Sequence, residues 1–278
     1  LSMETTWDNK KTTSPLTLII SAFSQIRDVT KSVTPDFKND SDLIVAKIDF
    51  GVNKNRLGGS ILSEVLGKEL GAVPDMNFIE EFPKVFNHIA KLINEEKVFA
   101  YHDISDGGLA ACITEMMMAG DCGFSIDLNL KKDQLYKELF SEEIGMVIQI
   151  SRETFESLKN YFKKIKCKEF LKEIGKTTKE DTLKINSINI QETFTFEDLM
   201  KNWTSVSTQI KKLRDNPQSA KSEAVAFLDK QKNKLQQKIN FKSSLINFSS
   251  KPKMGVIRDQ GINGQVEMAA AFNEAGFN

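Results

Sequence analysis

The sequence contains few of the residues from which metal sites and disulfide frameworks are usually built. It has two histidines, His88 and His102, and three cysteines in 278 residues. Two histidines exclude a histidine-rich metal site and any HExxH element. The cysteines, Cys112, Cys122 and Cys167, form no CxxC pair and no zinc-ligand spacing. We therefore expect reduced, buried thiols, as in cytosolic proteins.

Net charge and long hydrophobic runs are absent as well. Lys plus Arg and Asp plus Glu both number 38, so the formal net charge is +0. This balance gives no general field for nucleic acid or an anionic membrane, although it allows a local basic site for a phosphate-bearing small molecule. No stretch approaches the roughly 20 apolar residues that a transmembrane helix needs. We predict a soluble, cytoplasmic protein without nucleic-acid or membrane partners.

Both ends of the chain suggest a piece of a longer protein. The N-terminus, Leu1-Ser2-Met3-Glu4, has no basic or apolar region of a signal peptide and does not begin with methionine. At the other end, a strand at Met254–Ile257, a loop at Arg258–Gly264 and a helix at Val266–Ala275 form one βα unit. Because a single βα unit needs neighbouring strands, we expect a further α/β domain beyond Asn278.

Residues 43–196 alternate between strand and helix patterns, which predicts a layered α/β domain. The predicted strands are 43–50, 98–101, 124–130 and 146–150, with one arm of a hairpin at 183–190, and the predicted helices are 60–66, 83–96, 109–118 and 152–166. Apolar residues at 61, 62, 65 and 66 predict a buried face on the first helix. The Met116-Met117-Met118 run predicts core packing.

The remaining segments are assigned to neighbouring domains. Residues 1–42, with a short strand at 16–20, are predicted to end a preceding domain. Residues 197–252 are predicted to form a helical connector, and residues 253–278 to begin another domain. Within the connector we expect Leu199, Trp203 and Ile210 on the inner side of a helix at 197–213, and an amphipathic helix near 224–238.

The most informative motif is the run Tyr101–Leu109, which lies between a predicted strand and a predicted helix. Open α/β sheets place ligands at such junctions. Gly107 and Gly108 lack a Cβ, so a phosphate could approach the backbone and the free N–H groups of the first helical turn, and Ser105 can offer its hydroxyl. Asp103 would repel a bare phosphate but attract one through Mg2+, which takes one or two protein carboxylates besides phosphate oxygens. An ordinary capped helix with a glycine turn is the alternative.

A second glycine pair lies at Gly58 and Gly59, before the predicted helix at residue 60. Lys54 and Arg56 supply positive charge, so we identify Arg56, Gly58 and Gly59 as candidate phosphate-loop residues. The run is neither a Walker A motif nor GxGxxG, and a solvated basic loop is the alternative. The βα loop Arg258–Gly264 has two glycines and is by itself a weak signal.

Several segments together carry a resemblance to one enzyme family and follow the family's order. They are Leu1-Ser2-Met3, Thr13–Leu16 with Ile20–Phe23, Asn55–Ser60, Ala100–Gly108, Leu213–Pro217, and Arg258–Asn263 with Glu267–Phe272. The chain resembles phosphoribosylformylglycinamidine synthase in its large single-chain form. The resemblance covers nearly the whole chain and is weakest at 150–195 and 218–250.

The resemblance implies a domain similar to the C-terminal domain of aminoimidazole ribonucleotide synthetase, then a linker, then the first βα unit of a class I glutamine amidotransferase domain. It implies part of an ATP-dependent ligase of purine biosynthesis. That enzyme converts formylglycinamide ribonucleotide, glutamine and ATP to formylglycinamidine ribonucleotide, ADP, phosphate and glutamate. Its cofactors are ATP or ADP and Mg2+, and its other domains are the expected partners.

The family's functional residues transfer to two positions. Asp103 matches a magnesium ligand and Ser105 a nucleotide-binding residue, at a site thought to hold a structural nucleotide in the large enzymes. The other metal ligands lie upstream and the glutaminase triad beyond Asn278. We therefore expect no catalytic residues and no complete active site within the chain. A non-catalytic scaffold or dimerisation module is the alternative, whereas a stand-alone kinase would need a complete phosphate loop and a base.

Overall fold

A computed structural model describes residues 4–14, 19–26, 28–227, 240 and 250–278. Two compact units are present, Leu1–Ala224 and Val225–Asn278. Residues 16–18 of the predicted first strand and residues 228–238 of the predicted amphipathic helix lie outside the described part. None of the described helices is long and apolar enough to cross a membrane.

Nine strands and eight α-helices are formed by the described residues. The strands are β1 (Glu4–Trp7), β2 (Lys10–Thr13), β3 (Leu43–Asp49), β4 (Val98–Ile104), β5 (Gly123–Asp127), β6 (Gly145–Ser151), β7 (Leu171–Thr178), β8 (Thr182–Ser187) and β9 (Ile190–Thr195). The helices are α1 (Ile61–Leu66), α2 (Phe82–Asn94), α3 (Gly108–Gly120), α4 (Lys132–Phe140), α5 (Arg152–Lys164), α6 (Phe196–Arg214), α7 (Pro217–Phe227) and α8 (Gln265–Glu274).

The centre of the first unit is a seven-stranded sheet with the order β4-β6-β3-β7-β5-β8-β9. Neighbouring strands are antiparallel except for the parallel pair β5 and β8. β1 and β2 form a separate hairpin. The prediction of alternating strands and helices is confirmed, but the sheet is mixed and mainly antiparallel. The rule that ligands bind outside the carboxyl ends of parallel strands therefore does not locate a site in this sheet.

Side chains alternate along each strand, so apolar residues of one strand point to both faces of the sheet. Helices cover both faces and form one core on each. In β3, Ile44, Ala46 and Ile48 point into the core that contains α2 and α5. Val45 points into the core that contains α3 and α4. All seven residues of β3 are buried, as expected for a central strand covered on both faces.

The thiol and methionine predictions agree with the cores. Cys112, Cys122 and Cys167 are buried thiols that form no disulfide. Met116 and Met117 are fully buried, whereas Met118 is only partly buried. Burial raises the pKa of the Cys112 thiol well above its usual range, so this thiol stays protonated at neutral pH.

Three details of the predicted elements are wrong. No residue of α1 is buried, and Val65 is 76% exposed. On α6, Leu199 packs against the core as predicted, and Phe196 and Met200 are buried. Trp203 and Ile210, which were also predicted to face inward, are more than half exposed. Helical spacing in a sequence identifies an apolar stripe on a helix. It does not show whether another described part of the chain packs against that stripe.

The third error concerns helix and strand ends. α3 continues to Gly120, and the capping residue after it, Asp121, adopts the left-handed conformation at φ 52°. A Cβ on Gly120 would lie 2.4 Å from the carbonyl oxygen of Phe37, so this glycine permits close packing. Residues 254–257 form no strand, although the helix predicted after them is present as α8. The backbone N–H of Met254 donates to the carbonyl oxygen of Asn278 at 2.8 Å, and that of Asn278 donates to Pro252 at 2.9 Å, but this contact at the start of the segment does not extend into the ladder that defines a strand.

Candidate functional site

The first glycine junction is the turn between β4 and α3. β4 runs to Ile104, so His102 and Asp103 belong to the strand rather than to the predicted loop. The turn itself is Ser105-Asp106-Gly107, and α3 begins at Gly108. The strand end presents Asp103 and Ser105 as exposed residues beside the start of a helix.

The two glycines of this turn are required by its geometry. Gly107 and Gly108 have φ values of +83° and +67°, which side-chain-bearing residues rarely adopt. A Cβ on Gly108 would also lie 2.7 Å from the carbonyl oxygen of Ser141. The backbone N–H of Gly107 donates to the Glu142 carboxylate at 2.8 Å, and that of Gly108 donates to the Ser105 carbonyl at 2.9 Å. Both amides that were expected to face a phosphate thus have acceptors within the protein.

Asp103 is held by its neighbours on β4. The Tyr101 hydroxyl donates to Asp103 Oδ1 at 2.7 Å. Burial is the largest cause that raises the pKa of Tyr101, and the Asp103 carboxylate raises it further. The hydroxyl therefore keeps its proton. His102 Nδ1 lies 2.7 Å from the Asp103 carbonyl oxygen, and its Nε2 lies 3.1 Å from Glu115. These contacts fit an orienting role for His102.

Asp103 and Ser105 line one cavity of about 490 Å³. Its other lining residues are Phe82, Phe86, Tyr101, Ile104, Glu142, Ile144, Gly145 and Met146. The cavity therefore has an apolar and aromatic wall together with two hydroxyl-bearing residues and two carboxylate residues. A few polar groups within an apolar pocket are typical of sites for small molecules.

The second glycine junction is organised by Glu143. Arg56 donates to this carboxylate from its backbone N, Nε and Nη2 at 3.0, 2.7 and 2.7 Å. Hydrogen bonding to Glu143 raises the pKa of Arg56. Burial would raise the pKa of Glu143, but Arg56 outweighs it and the pKa lies below its usual value. The guanidinium expected to meet a phosphate is thus bound to a carboxylate that is 1% exposed.

Gly58 and Gly59 shape this second junction. A Cβ on Gly58 would lie 2.1 Å from the carbonyl oxygen of Gly71, and Gly59 has a φ of +70°. Lys54 Nζ donates to Asn77 Oδ1 at 2.6 Å. The basic residues of this loop therefore have protein acceptors, and a phosphate role for Arg56, Gly58 and Gly59 stays a prediction.

A buried ionic network beside this junction was not predicted. Lys47 Nζ lies 3.3 Å from Asp49 and 3.1 Å from Glu138, and Lys172 lies 3.4 Å from Glu138. Asn55 donates to the other Glu138 oxygen at 2.9 Å. The available signal was the presence of Lys47 and Asp49 in an otherwise apolar strand, since charged residues are rarely buried unless they are paired.

Glu142 was also missed, although it contacts both glycine junctions. Its Oε1 accepts hydrogen bonds from the backbone N of Ile61 at 2.9 Å and of Gly107 at 2.8 Å. No element was predicted between residues 130 and 146, so α4 was missed together with Glu142 and Glu143, which follow it. Their partners are distant along the chain, so spacing could not reveal them.

The Mg2+ prediction depends on Asp103. No three His, Cys, Asp or Glu side chains of the described residues converge on a point that could hold a metal ion. An exposed carboxylate at the cavity wall suits a cation that takes one or two protein carboxylates and its other ligands from phosphates and water. Asp103 therefore fits one such position.

The third loop lies in the second unit. Residues 258–264 have no regular structure, with Gly261 at a φ of +86°, and α8 begins at Gln265. The described side chains of α8 include no buried residue.

Comparison with known proteins identifies the domain that carries the first two junctions. Residues 43–187 match the family model described as AIR synthase related protein, C-terminal domain. Among solved structures, Thermotoga maritima PurL complexed with ATP is 13% identical, with a TM-score of 0.45, over 62% of this chain and 27% of that one. The same protein complexed with FGAR is 13% identical, with a TM-score of 0.46, over 62% and 30%.

A third solved structure is HypE, a hydrogenase maturation protein from E. coli. It is 18% identical with a TM-score of 0.39, over 56% of this chain and 50% of that one. The chain spans 27–34% of the length of the PurL structures that it matches. The family model covers more than half of the chain, and the chain therefore belongs to the AIR synthase related proteins through their C-terminal domain.

Proposed function

We propose that the chain is part of phosphoribosylformylglycinamidine synthase, an ATP-dependent ligase of purine biosynthesis. The whole enzyme would convert formylglycinamide ribonucleotide, glutamine and ATP to formylglycinamidine ribonucleotide, ADP, phosphate and glutamate. One observation carries the proposal: Asp103 and Ser105 line one cavity at the start of α3, within a domain of the AIR synthase related family.

The proposed role of this chain is to hold a nucleotide with its Mg2+. Asp103 would bind the cation through its carboxylate, and Ser105 would donate its hydroxyl to a phosphate oxygen. The positive end of the α3 dipole favours an anion at the same place. Mg2+ supplies the charge that makes a phosphate acceptable beside Asp103.

The remaining assignments follow from the same proposal. Residues 1–42 would end the preceding synthetase domain, residues 43–196 would form the synthetase C-terminal-type domain, and residues 197–252 would connect it to a glutaminase domain beginning at 253. The other domains of the enzyme would be its partners and the cytoplasm its compartment. No catalytic residue is assigned within the chain.

The test uses the full-length protein with Asp103→Asn, and with Asp106→Asn as the matched control. Asp106 is an exposed residue of the same turn that does not line the cavity. We expect Asp103→Asn to weaken binding of Mg-ADP at least about tenfold in calorimetry, equivalent to about 1.4 kcal/mol. Asp106→Asn should change it less than about twofold.

Thermal unfolding gives a second readout. A nucleotide at a hundredfold excess over its Kd stabilises a protein by about 2.7 kcal/mol. We expect this gain in the wild type and in Asp106→Asn, and its reduction in Asp103→Asn. Equal nucleotide binding by all three proteins would contradict the Asp103 assignment, whereas no binding by the wild type would favour a non-catalytic scaffold.

A further inference from the structure

The feature that the proposed function leaves unexplained is the bridge formed by Glu142. A single carboxylate oxygen accepts from Ile61 N, at the start of α1, and from Gly107 N, just before α3. These two amides belong to the two glycine junctions, which are far apart in sequence. The same oxygen therefore fixes the distance between the two turns.

Neighbouring residues strengthen this connection. Glu143 accepts three hydrogen bonds from Arg56. Glu138 accepts one from Asn55. The carbonyl oxygen of Ser141 lies where a Cβ on Gly108 would clash. The segment 138–143 thus contacts the second junction through the three glutamates Glu138, Glu142 and Glu143, and it packs closely against the first junction. Within this segment only Glu142 hydrogen-bonds both junctions.

Glu142 also lines the cavity that contains Asp103 and Ser105. An unbonded carboxylate there would repel a phosphate, but Glu142 Oε1 accepts from two backbone amides. Hydrogen bonds to an ionised group are shorter and stronger than those between neutral groups. This carboxylate is therefore suited to hold the two turns together at the cavity wall.

We propose that Glu142 is a positioning residue that couples the two glycine junctions, so that a ligand bound at the Asp103–Ser105 turn also orders the turn at residues 57–61. The nucleotide part of this inference rests on the proposed function. The coupling itself requires only the two hydrogen bonds and can be measured without a nucleotide.

The first experiment measures amide hydrogen exchange in the nucleotide-free full-length protein. Glu142→Gln keeps an acceptor oxygen, whereas Glu142→Ala removes it. We expect the amides of Ile61 and Gly107 to remain protected in Glu142→Gln and to exchange at least about tenfold faster in Glu142→Ala. Glu69→Ala, an exposed glutamate in the loop after α1, is the matched control and should leave both amides unchanged.

The second experiment disturbs one junction and observes the other. Ser60 caps α1 by accepting from Ser63 N at 3.2 Å. We expect Ser60→Ala to speed exchange at Gly107 when Glu142 is present and to have no further effect there in Glu142→Ala. An equal effect of Ser60→Ala in both backgrounds, or loss of protection at only one amide in Glu142→Ala, would overturn the coupling.

The third experiment adds saturating Mg-ADP. We expect protection of both 105–109 and 57–61 in the wild type and in Glu142→Gln, and of 105–109 alone in Glu142→Ala. Protection of both segments in Glu142→Ala would refute the coupling. Absence of nucleotide binding in the wild type would refute the proposed function instead, while the nucleotide-free experiments still decide the role of Glu142. Glu142→Asp, whose side chain is one methylene shorter and should lose at least one of the two hydrogen bonds, replaces the Ala variant if that variant does not fold.

Discussion

Gly108 determines how closely the start of α3 approaches the end of α4. Its φ is +67°, and a Cβ at this position would have three backbone atoms within 2.9 Å, which leaves no space for a side chain. Gly67, which ends α1, has a similar φ of +60°, but a Cβ there would have no atom within 4 Å. Substitutions at these two glycines therefore distinguish the cost of backbone strain, which both would have, from the cost of steric overlap, which only Gly108 would have.

We expect Gly108→Ala to lower the free energy of unfolding by about 3 kcal/mol or more, because strain and overpacking add. Gly67→Ala should cost about 1 kcal/mol, from strain alone. Urea unfolding followed by circular dichroism measures both. Equal costs for the two variants would show that the contact between Gly108 and residues 139–141 is absent in solution.

At the scale of elements, α1 and α2 show what helical periodicity can predict. Both have apolar residues at helical spacing, and both were predicted within about two residues of their ends. α2 buries Val85, Ile89 and Leu92 against the sheet. α1 has no buried residue, so the same pattern led to a wrong burial prediction there.

This contrast predicts unequal costs of truncation. Ile89 is 3% exposed, and Ile89→Ala should lower the free energy of unfolding by about 3 kcal/mol. Val65 is 76% exposed, and Val65→Ala should change it by less than about 0.5 kcal/mol. Urea titrations of both variants provide the measurement. A cost for Val65→Ala close to that of Ile89→Ala would mean that the face of α1 is covered in solution.

The same contrast explains how much of the site was predictable. Asp103 and Ser105 were recognised because they are neighbours in sequence and lie next to a glycine pair. Glu142 and Glu143 were missed because their partners, Gly107 and Arg56, become neighbours only when the sheet forms. The strand order, in which β3 lies between β6 and β7, likewise has no local signature in the sequence.

At the scale of the whole molecule, the net charge is zero, but several of the individual charges are buried. Lys47, Glu138 and Glu143 are each 1% exposed and are paired within the first unit. Removing one partner of a buried ion pair leaves an uncompensated charge, which typically costs about 3–5 kcal/mol. The pairing links β3, α4 and the second glycine junction, so its loss should affect cooperative unfolding of the whole unit.

Acid should therefore weaken the fold through these carboxylates. Burial alone would raise the pKa of Glu138, but Lys47 and Lys172, together with hydrogen bonds from Asn55 and Lys47, outweigh it and lower the pKa below 4.5. A lowered pKa in the folded state means that ionised Glu138 stabilises the protein above about pH 4.5 and that this contribution is lost as pH falls through the folded-state pKa. The pKa of Glu143 is lowered as well, so it adds stability in the same pH range.

We expect Glu138→Gln to lower the free energy of unfolding by about 3 kcal/mol at pH 7, because Lys47 loses a buried counter-charge. The difference from the wild type should shrink as pH is lowered from 5 to 3, since wild-type Glu138 then becomes protonated too. Urea unfolding at pH 7, 5, 4 and 3 measures this, with Glu69→Gln as an exposed control whose curve should parallel the wild type. A difference that stays constant down to pH 3 would mean that the pKa of Glu138 is the same in the folded and the unfolded protein. Glu143→Gln, which unpairs Arg56, should show the same convergence and provides the test if Glu138→Gln does not fold.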